Sequence, residues 1–180
     1  MKTSLISLFT LLIVLVASAT NAFAQQVPNP RVSPTMISAT TVGDAYLKVV
    51  YGMPFKRDRV VFGELVPYGQ VWRTGANEAT EITLTKDMVF HNTEIPAGHY
   101  SLFTIPNENE WTIIFNRELG LWGAFNYKEE HDVARFTVPV ENLPDTWEAF
   151  RILVVNEDGT QAIQMRWDNT GVTIPFRVKS

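Results

Sequence analysis

The chain is 180 residues long, 46% hydrophobic and 12% aromatic, with a formal net charge of −4. It has no cysteine, which excludes a disulfide framework and thiol chemistry. No basic cluster offsets the acidic balance, so nucleic acid is not an expected partner.

Residues 1–24 read as a cleaved export signal. Lys2 supplies the positive start, Leu5 to Val16 form an uncharged apolar run, and Ala22-Phe23-Ala24 is a small-x-small cleavage site. The run is shorter than the roughly 20 residues a membrane-spanning helix needs. Cysteine is absent after it, so no lipoprotein anchor is expected. Cleavage would leave 156 residues, and losing Lys2 would move the charge from −4 to −5. The expected location is periplasmic or extracellular, with no membrane span after signal removal. Residues 25–34, rich in proline and polar side chains, form an extended lead-in. Residues 35–180 are expected to form one domain.

From there the hydrophobic period is two. Thr35–Val42 and Ala45–Tyr51 flank the Gly43-Asp44 turn signal. Arg57–Leu65 has room for a short helical turn, and its Arg57-Asp58-Arg59 reads as a solvated turn. Glu81–Thr85 alternates, with Ile82 and Leu84 on one face, and Met88–His91 is a short strand. Tyr100–Ile105 and Trp111–Asn116 form a hairpin around Pro106–Glu110, with Trp111, Ile113 and Phe115 sharing a face. Leu119–Asn126 has room for another helical turn. Val133–Val138 is a strand ending at Pro139. Phe150–Val155 and Thr160–Trp167 flank the Asp-Gly turn at 156–159. In the final strand Val172, Ile174, Phe176 and Val178 alternate with polar residues and Pro175. A proline cannot donate to a ladder, so this strand should lie at an edge or have a free N–H side there. Ile163, Met165, Trp167, Val172, Ile174 and Phe176 are expected in the core. The pattern predicts an all-β fold, a single antiparallel β-sandwich of about nine strands, with a closed β-barrel as the alternative.

Chemistry concentrates at Trp72, Arg73, Asn77 and Glu78, which crowd around Gly75. As a recognition loop, Trp72 would stack on a ligand, Arg73 and Glu78 would make charge-assisted bonds, and Asn77 would read a hydroxyl or amide. As a buried corner, Gly75 would turn left-handed, Asn77 would close an Asx-turn, and Arg73 would pair with Glu78 or loop carbonyls. Trp122-Gly-Ala-Phe-Asn126-Tyr127 is a second aromatic-polar loop. It suits a sugar face or apolar ligand, or else it plugs one end of the sandwich. His91 and His99 could face each other across adjacent strands, but their spacing is weak for zinc, and neither metal nor cofactor is expected. None of Ser33, Ser38, Ser101 and Ser180 sits in a nucleophile motif. Glu78, Glu110, Asp132 and Glu148 could converge as paired carboxylates.

A set of segments carries a family resemblance. It includes Arg59-Val-Val-Phe-Gly63, Leu65-Val-Pro-Tyr-Gly69, Val71-Trp-Arg-Thr-Gly-Ala-Asn-Glu-Ala-Thr80, Ile95-Pro-Ala-Gly98, Tyr100-Ser-Leu-Phe-Thr-Ile-Pro106, Trp111-Thr-Ile-Ile-Phe-Asn116 and Asp132-Val-Ala-Arg135. In these the chain resembles the exported bacterial family known as domain of unknown function 2911, over nearly all of residues 25–180. The chain departs from the family at Gly52-Met53-Pro54-Phe55, where the family has a more polar Ser-Arg-Pro-Ser-like segment. Any ligand role of an arginine there is missing at Met53. The resemblance implies an extracytoplasmic location and no reaction.

The leading expectation is a non-catalytic exported sandwich binding a small molecule, glycan or envelope component at a loop-end site. That site would comprise Trp72, Arg73, Asn77, Glu78, Trp122, Asn126 and Tyr127. The alternatives are a small hydrolase using Glu78 with Arg73, and a structural or assembly module that meets an envelope protein.

Overall fold

A computed structural model describes residues 30–157 and 159–179. The expected export signal and cleavage site, and the start of the expected lead-in, lie outside the described residues. Nine antiparallel strands follow: β1 (Thr35–Val42), β2 (Ala45–Gly52), β3 (Thr80–Leu84), β4 (Met88–Phe90), β5 (Thr93–Ile95), β6 (Gly98–Pro106), β7 (Glu110–Asn116), β8 (Asp132–Glu157) and β9 (Thr160–Val178). Their hydrogen-bonded order is β1-β2-β3-β6-β7-β8-β9-β4-β5. The order runs open from β1 to β5, so the fold is a sandwich and the barrel alternative falls.

Two long strands join the layers. The first part of β8 pairs with β7 up to Pro139 opposite Glu110. From Val140 onward β8 pairs with β9, with register shifts around Trp147. The strand expected to end at Pro139 therefore continues. Pro139 falls where β7 runs out, so its missing N–H costs no interior ladder bond. The strands expected at 160–167 and 172–178 are likewise one, kinked at Asp168 (φ 53). Strand β9 is not an edge. It pairs with β8 as far as Val172 and with β4 from Phe176, and Pro175 lies between the two ladders.

The β5 strand is missing from the sequence reading. His91 and Asn92 both adopt positive φ (41° and 70°), forming a two-residue turn between Phe90 and Thr93. That conformation suits a primed hairpin turn, which the dipeptide His-Asn signals poorly without a glycine. It also separates the two histidines. His91 packs on Phe136, whereas His99 lies on β6 and bonds Thr83 at 3.0 Å. Strands β4 and β6 are not paired. Neither expected helical turn forms, and among the described residues the single 3-10 turn is Glu129–His131.

Alternation places the core between the layers. Ala45, Leu47 and Val49 of β2 are fully buried, as are Trp111, Ile113 and Phe115 of β7. All six residues expected from the C-terminal strands are buried, Trp167 at 1% exposure. The β8 segment of the second layer closes over β1 and β2. The Val154 N–H donates to Ser38 Oγ at 2.9 Å, and the Ile152 N–H to Tyr51 Oη at 3.1 Å.

Candidate functional site

The Trp72–Thr80 segment is held from three sides. The Trp72 N–H donates to Thr104 O at 2.7 Å, and the Thr104 N–H returns to Trp72 O at 3.0 Å. Thr74 is wholly buried, and Thr80 Oγ1 donates to its carbonyl at 2.7 Å. The Ala76 N–H donates to Gly52 O at 3.0 Å, which seats the loop on the end of β2.

Two features of the buried-corner expectation need correction. Thr74 (φ 56) and Asn77 (φ 65) take the left-handed conformation, and Gly75 does not. Gly75 is required instead by proximity, since a Cβ there would sit 2.8 Å from Gly52 O. Arg73 does not pair with Glu78. Glu78 Oε2 accepts from Arg31 at 2.6 Å, with both side chains about half exposed. That bond holds the Glu78 carboxyl below its ordinary range. Asn77 Nδ2 donates to Ser33 O at 3.1 Å, so Asn77 ties down the lead-in.

Trp72 belongs to the core. Its ring stacks on Trp167 with centroids 6.0 Å apart and planes 18° apart, and its Nε1–H donates to Gly75 O at 3.1 Å. Phe62, Trp111 and Phe150 surround it. Arg73 is half-buried. Its Nε is buried without a hydrogen-bond partner, and burial pushes the guanidinium below its ordinary value.

A hollow of about 320 Å³ opens beside this loop. Trp72, Arg73 and Asn77 line it, as do Trp167, Arg57 and Arg59. Among the described residues, no acidic side chain does. Arg57 and Arg59, read from sequence as a solvated turn, are exposed in a turn and also line this hollow. Arg59 Nε donates to Lys56 O at 2.9 Å and a terminal nitrogen to Phe55 O at 2.7 Å. The Arg57 N–H donates to Glu148 Oε1 at 2.9 Å, and Arg57 and Asp58 both adopt positive φ. The nearby Lys56 is neutralised by Asp168 at 2.5 Å. The only sequence signal was the density of cations at 56–59. Nothing local says that β8 draws this turn toward Arg73 through the Phe55–Ala149 bridge.

The loops at 72–80 and 119–127 do meet, backbone to backbone. Glu78 pairs with Trp122, the Ala79 N–H donates to Leu121 O at 2.9 Å, and the Gly123 N–H donates to Asn77 O at 3.1 Å. The second loop does not plug the sandwich. Its Leu121, Ala124 and Tyr127 cover Phe103 and Ile114 in a small second cluster. Trp122 is 58% exposed, Asn126 is exposed, and neither lines the arginine hollow.

Glu78 lines a separate hollow of about 290 Å³, with Arg31, Tyr51 and Glu81. Tyr127 belongs to a polar network around Asp132. Asp132 accepts from Tyr127 Oη at 2.7 Å, from Asn116 Nδ2 at 2.8 Å and from Arg135 Nε at 2.5 Å. Burial first, then the bond to Asp132, pushes the Tyr127 phenol up to about 12. Glu78, Asp132 and Glu148 thus have separate partners. Among the described residues, no three histidine or acidic side chains gather as metal ligands, and no helix is long and apolar enough to cross a membrane.

Fold and site together define an antiparallel β-sandwich with an arginine-lined hollow against its aromatic core. The family model described as "Protein of unknown function (DUF2911)" matches residues 33–176, and the chain belongs to that family. No curated protein and no solved structure matches it.

Proposed function

We propose that the chain is an exported, non-catalytic sandwich that binds a small molecule in the hollow bordered by Trp72, Arg73 and Asn77. One observation carries this reading: Arg73 lines that hollow with a buried Nε that no group among the described residues satisfies. A buried charged donor left without a partner is costly, and a ligand would offset the cost. The volume of about 320 Å³ falls at the small end of ligand sites. Its walls come from segments far apart in sequence, including Ser33, Phe55, Val66 and Trp167.

Glu78, Trp122, Asn126 and Tyr127 drop out of this reading, because none lines the hollow. The hydrolase reading loses its pairing, since Glu78 bonds Arg31 and lines a different hollow from Arg73. The assembly reading has the β1 edge in its favour, where Ile37 is 64% exposed. Against it, the Asn156 side chain already takes the Thr41 carbonyl of β1, and Ser38 Oγ is taken by the Val154 N–H of β8.

The test is a thermal-shift screen of small molecules and glycans against the purified protein and Arg73→Ala. A ligand of this site raises the melting temperature of the wild type and loses most of that effect in the variant. A ligand that stabilises both proteins equally would place binding elsewhere and refute the choice of site.

A further inference from the structure

We infer that the hollow takes a small oxyanion carried on a flat apolar body, a carboxylate or a phosphate ester. This rests on the binding-site reading above and names its ligand class.

The first ground is charge. Arg57, Arg59 and Arg73 line the hollow with no aspartate or glutamate among its described walls. Among the described residues no carboxylate pairs with any of the three guanidinium groups, and Glu148 meets Arg57 only at its main-chain N–H. The chain as a whole is acidic, at −4, so this local excess of three cations runs against the general charge. An oxyanion entering the hollow would meet three guanidinium groups on its described walls.

The second ground is unspent donors. Two buried side-chain nitrogens lack partners among the described residues, Arg73 Nε and Trp111 Nε1, and only the first belongs to a charged group. Arg59 uses Nε and one terminal nitrogen on main-chain carbonyls, which fixes its position and leaves its other terminal nitrogen unspent. Arg57 is anchored through its main chain alone, by the bond to Glu148. Planar guanidinium forks of this kind match carboxylate and phosphate oxygens two at a time.

The third ground is the remaining wall. Phe55 and Leu65 provide aromatic and aliphatic surface beside the cations, backed by the buried rings of Trp72 and Trp167. A bare inorganic ion would leave that surface unused, whereas a ring bearing the anionic group would cover it.

The experiment measures binding of benzoate, phenyl phosphate and benzyl alcohol to the full protein by calorimetry. The expected result is saturable binding of at least one anion, about tenfold or more tighter than benzyl alcohol. The tighter of the two anions identifies the head group. Raising salt from about 0.05 M to about 0.5 M should weaken the anions and not the alcohol. Arg73→Met and, separately, Arg57→Gln should each weaken the anion about 10- to 100-fold and leave benzyl alcohol unchanged. Arg57→Gln keeps the main-chain bond to Glu148, so the test survives if Arg73→Met fails to fold. Benzyl alcohol binding as tightly as both anions would overturn the anion inference and leave the hollow as a binding site. An uncharged ligand from the wider screen, with no anion bound, would do the same. A blank result from all three probes and from the screen would overturn both readings.

Discussion

Gly52→Ala adds one methyl group where the loop rests on β2. Gly52 is not among the positive-φ residues, so alanine fits its backbone, and the perturbation is purely steric. The new Cβ would sit 2.0 Å from Ala76 O and 2.9 Å from its carbonyl carbon, where ordinary contact begins near 3.4 Å. Two main chains must therefore move apart by about 1.4 Å, the gap between 2.0 and 3.4 Å. No side-chain rotation can absorb that shift. Overpacking of this kind costs about 1–3 kcal/mol. The Ala76 N–H bond to Gly52 O at 3.0 Å is lost with it, at about 0.5–1.5 kcal/mol. The sum of about 1.5–4.5 kcal/mol should lower Tm by about 3–18 °C in a domain of this size. Gly43→Ala is the counterpart, with open space around it but φ +60. It should cost about 1–2 kcal/mol from backbone conformation alone. Thermal melts of both variants decide the matter. A Gly52→Ala protein melting within about 2 °C of the wild type would show that the contact between loop and strand is not fixed.

Trp167→Ala should lose about 3–5 kcal/mol in urea denaturation, since the ring is 1% exposed and packs on Trp72, Phe62 and Phe150. Glu78→Ala should cost no more than about 1 kcal/mol, because its pair with Arg31 is half exposed. Arg73 and Glu78 do not touch, so their double mutant should be additive within about 0.5 kcal/mol, and strong coupling would contradict the separation seen here. Tyr127 has a folded value of about 12 against an ordinary 10.0. Its contribution to stability is thus complete below pH 10 and fades as pH rises through about 12. An ultraviolet titration comparing wild type with Tyr127→Phe should show the late-ionising phenol missing from the variant.

Much of the fold was legible because alternation reports directly on burial. The hairpin at Gly43-Asp44 closes with Val42 opposite Ala45, as the turn signal requires. Misreadings arose where tertiary contacts override local signals. Pro139 looks like a terminator, yet β8 passes through it by exchanging one partner strand for another. The His91-Asn92 turn carries no glycine, so the strand behind it stayed hidden. The site was harder to read for the same reason. Crowding around Gly75 marked a loop that borders the proposed hollow, but the other arginines of its wall sit 14 and 16 positions before Arg73, in a turn with no apolar pattern.

The charges of the loop make sense once its two sides are separated. Asn77 anchors the lead-in through Ser33, and the next residue, Glu78, holds Arg31 of the same segment. The lead-in is thus fastened twice, and Val32 and Ser33 become part of the wall of the arginine hollow. Glu78 spends its charge on Arg31 and stays out of that hollow. Had Glu78 turned toward Arg73, the two would have neutralised each other, and one of the three cations would have been lost. Met53 and Phe55 fit this arrangement. Met53 is buried, its N–H bonding to Pro34 O at 2.9 Å, and Phe55 lines the hollow with apolar surface. An arginine at Met53 would have to lie buried in the core. The cations here come instead from the turn that follows, where Arg57 and Arg59 are exposed at the rim and free of that desolvation cost.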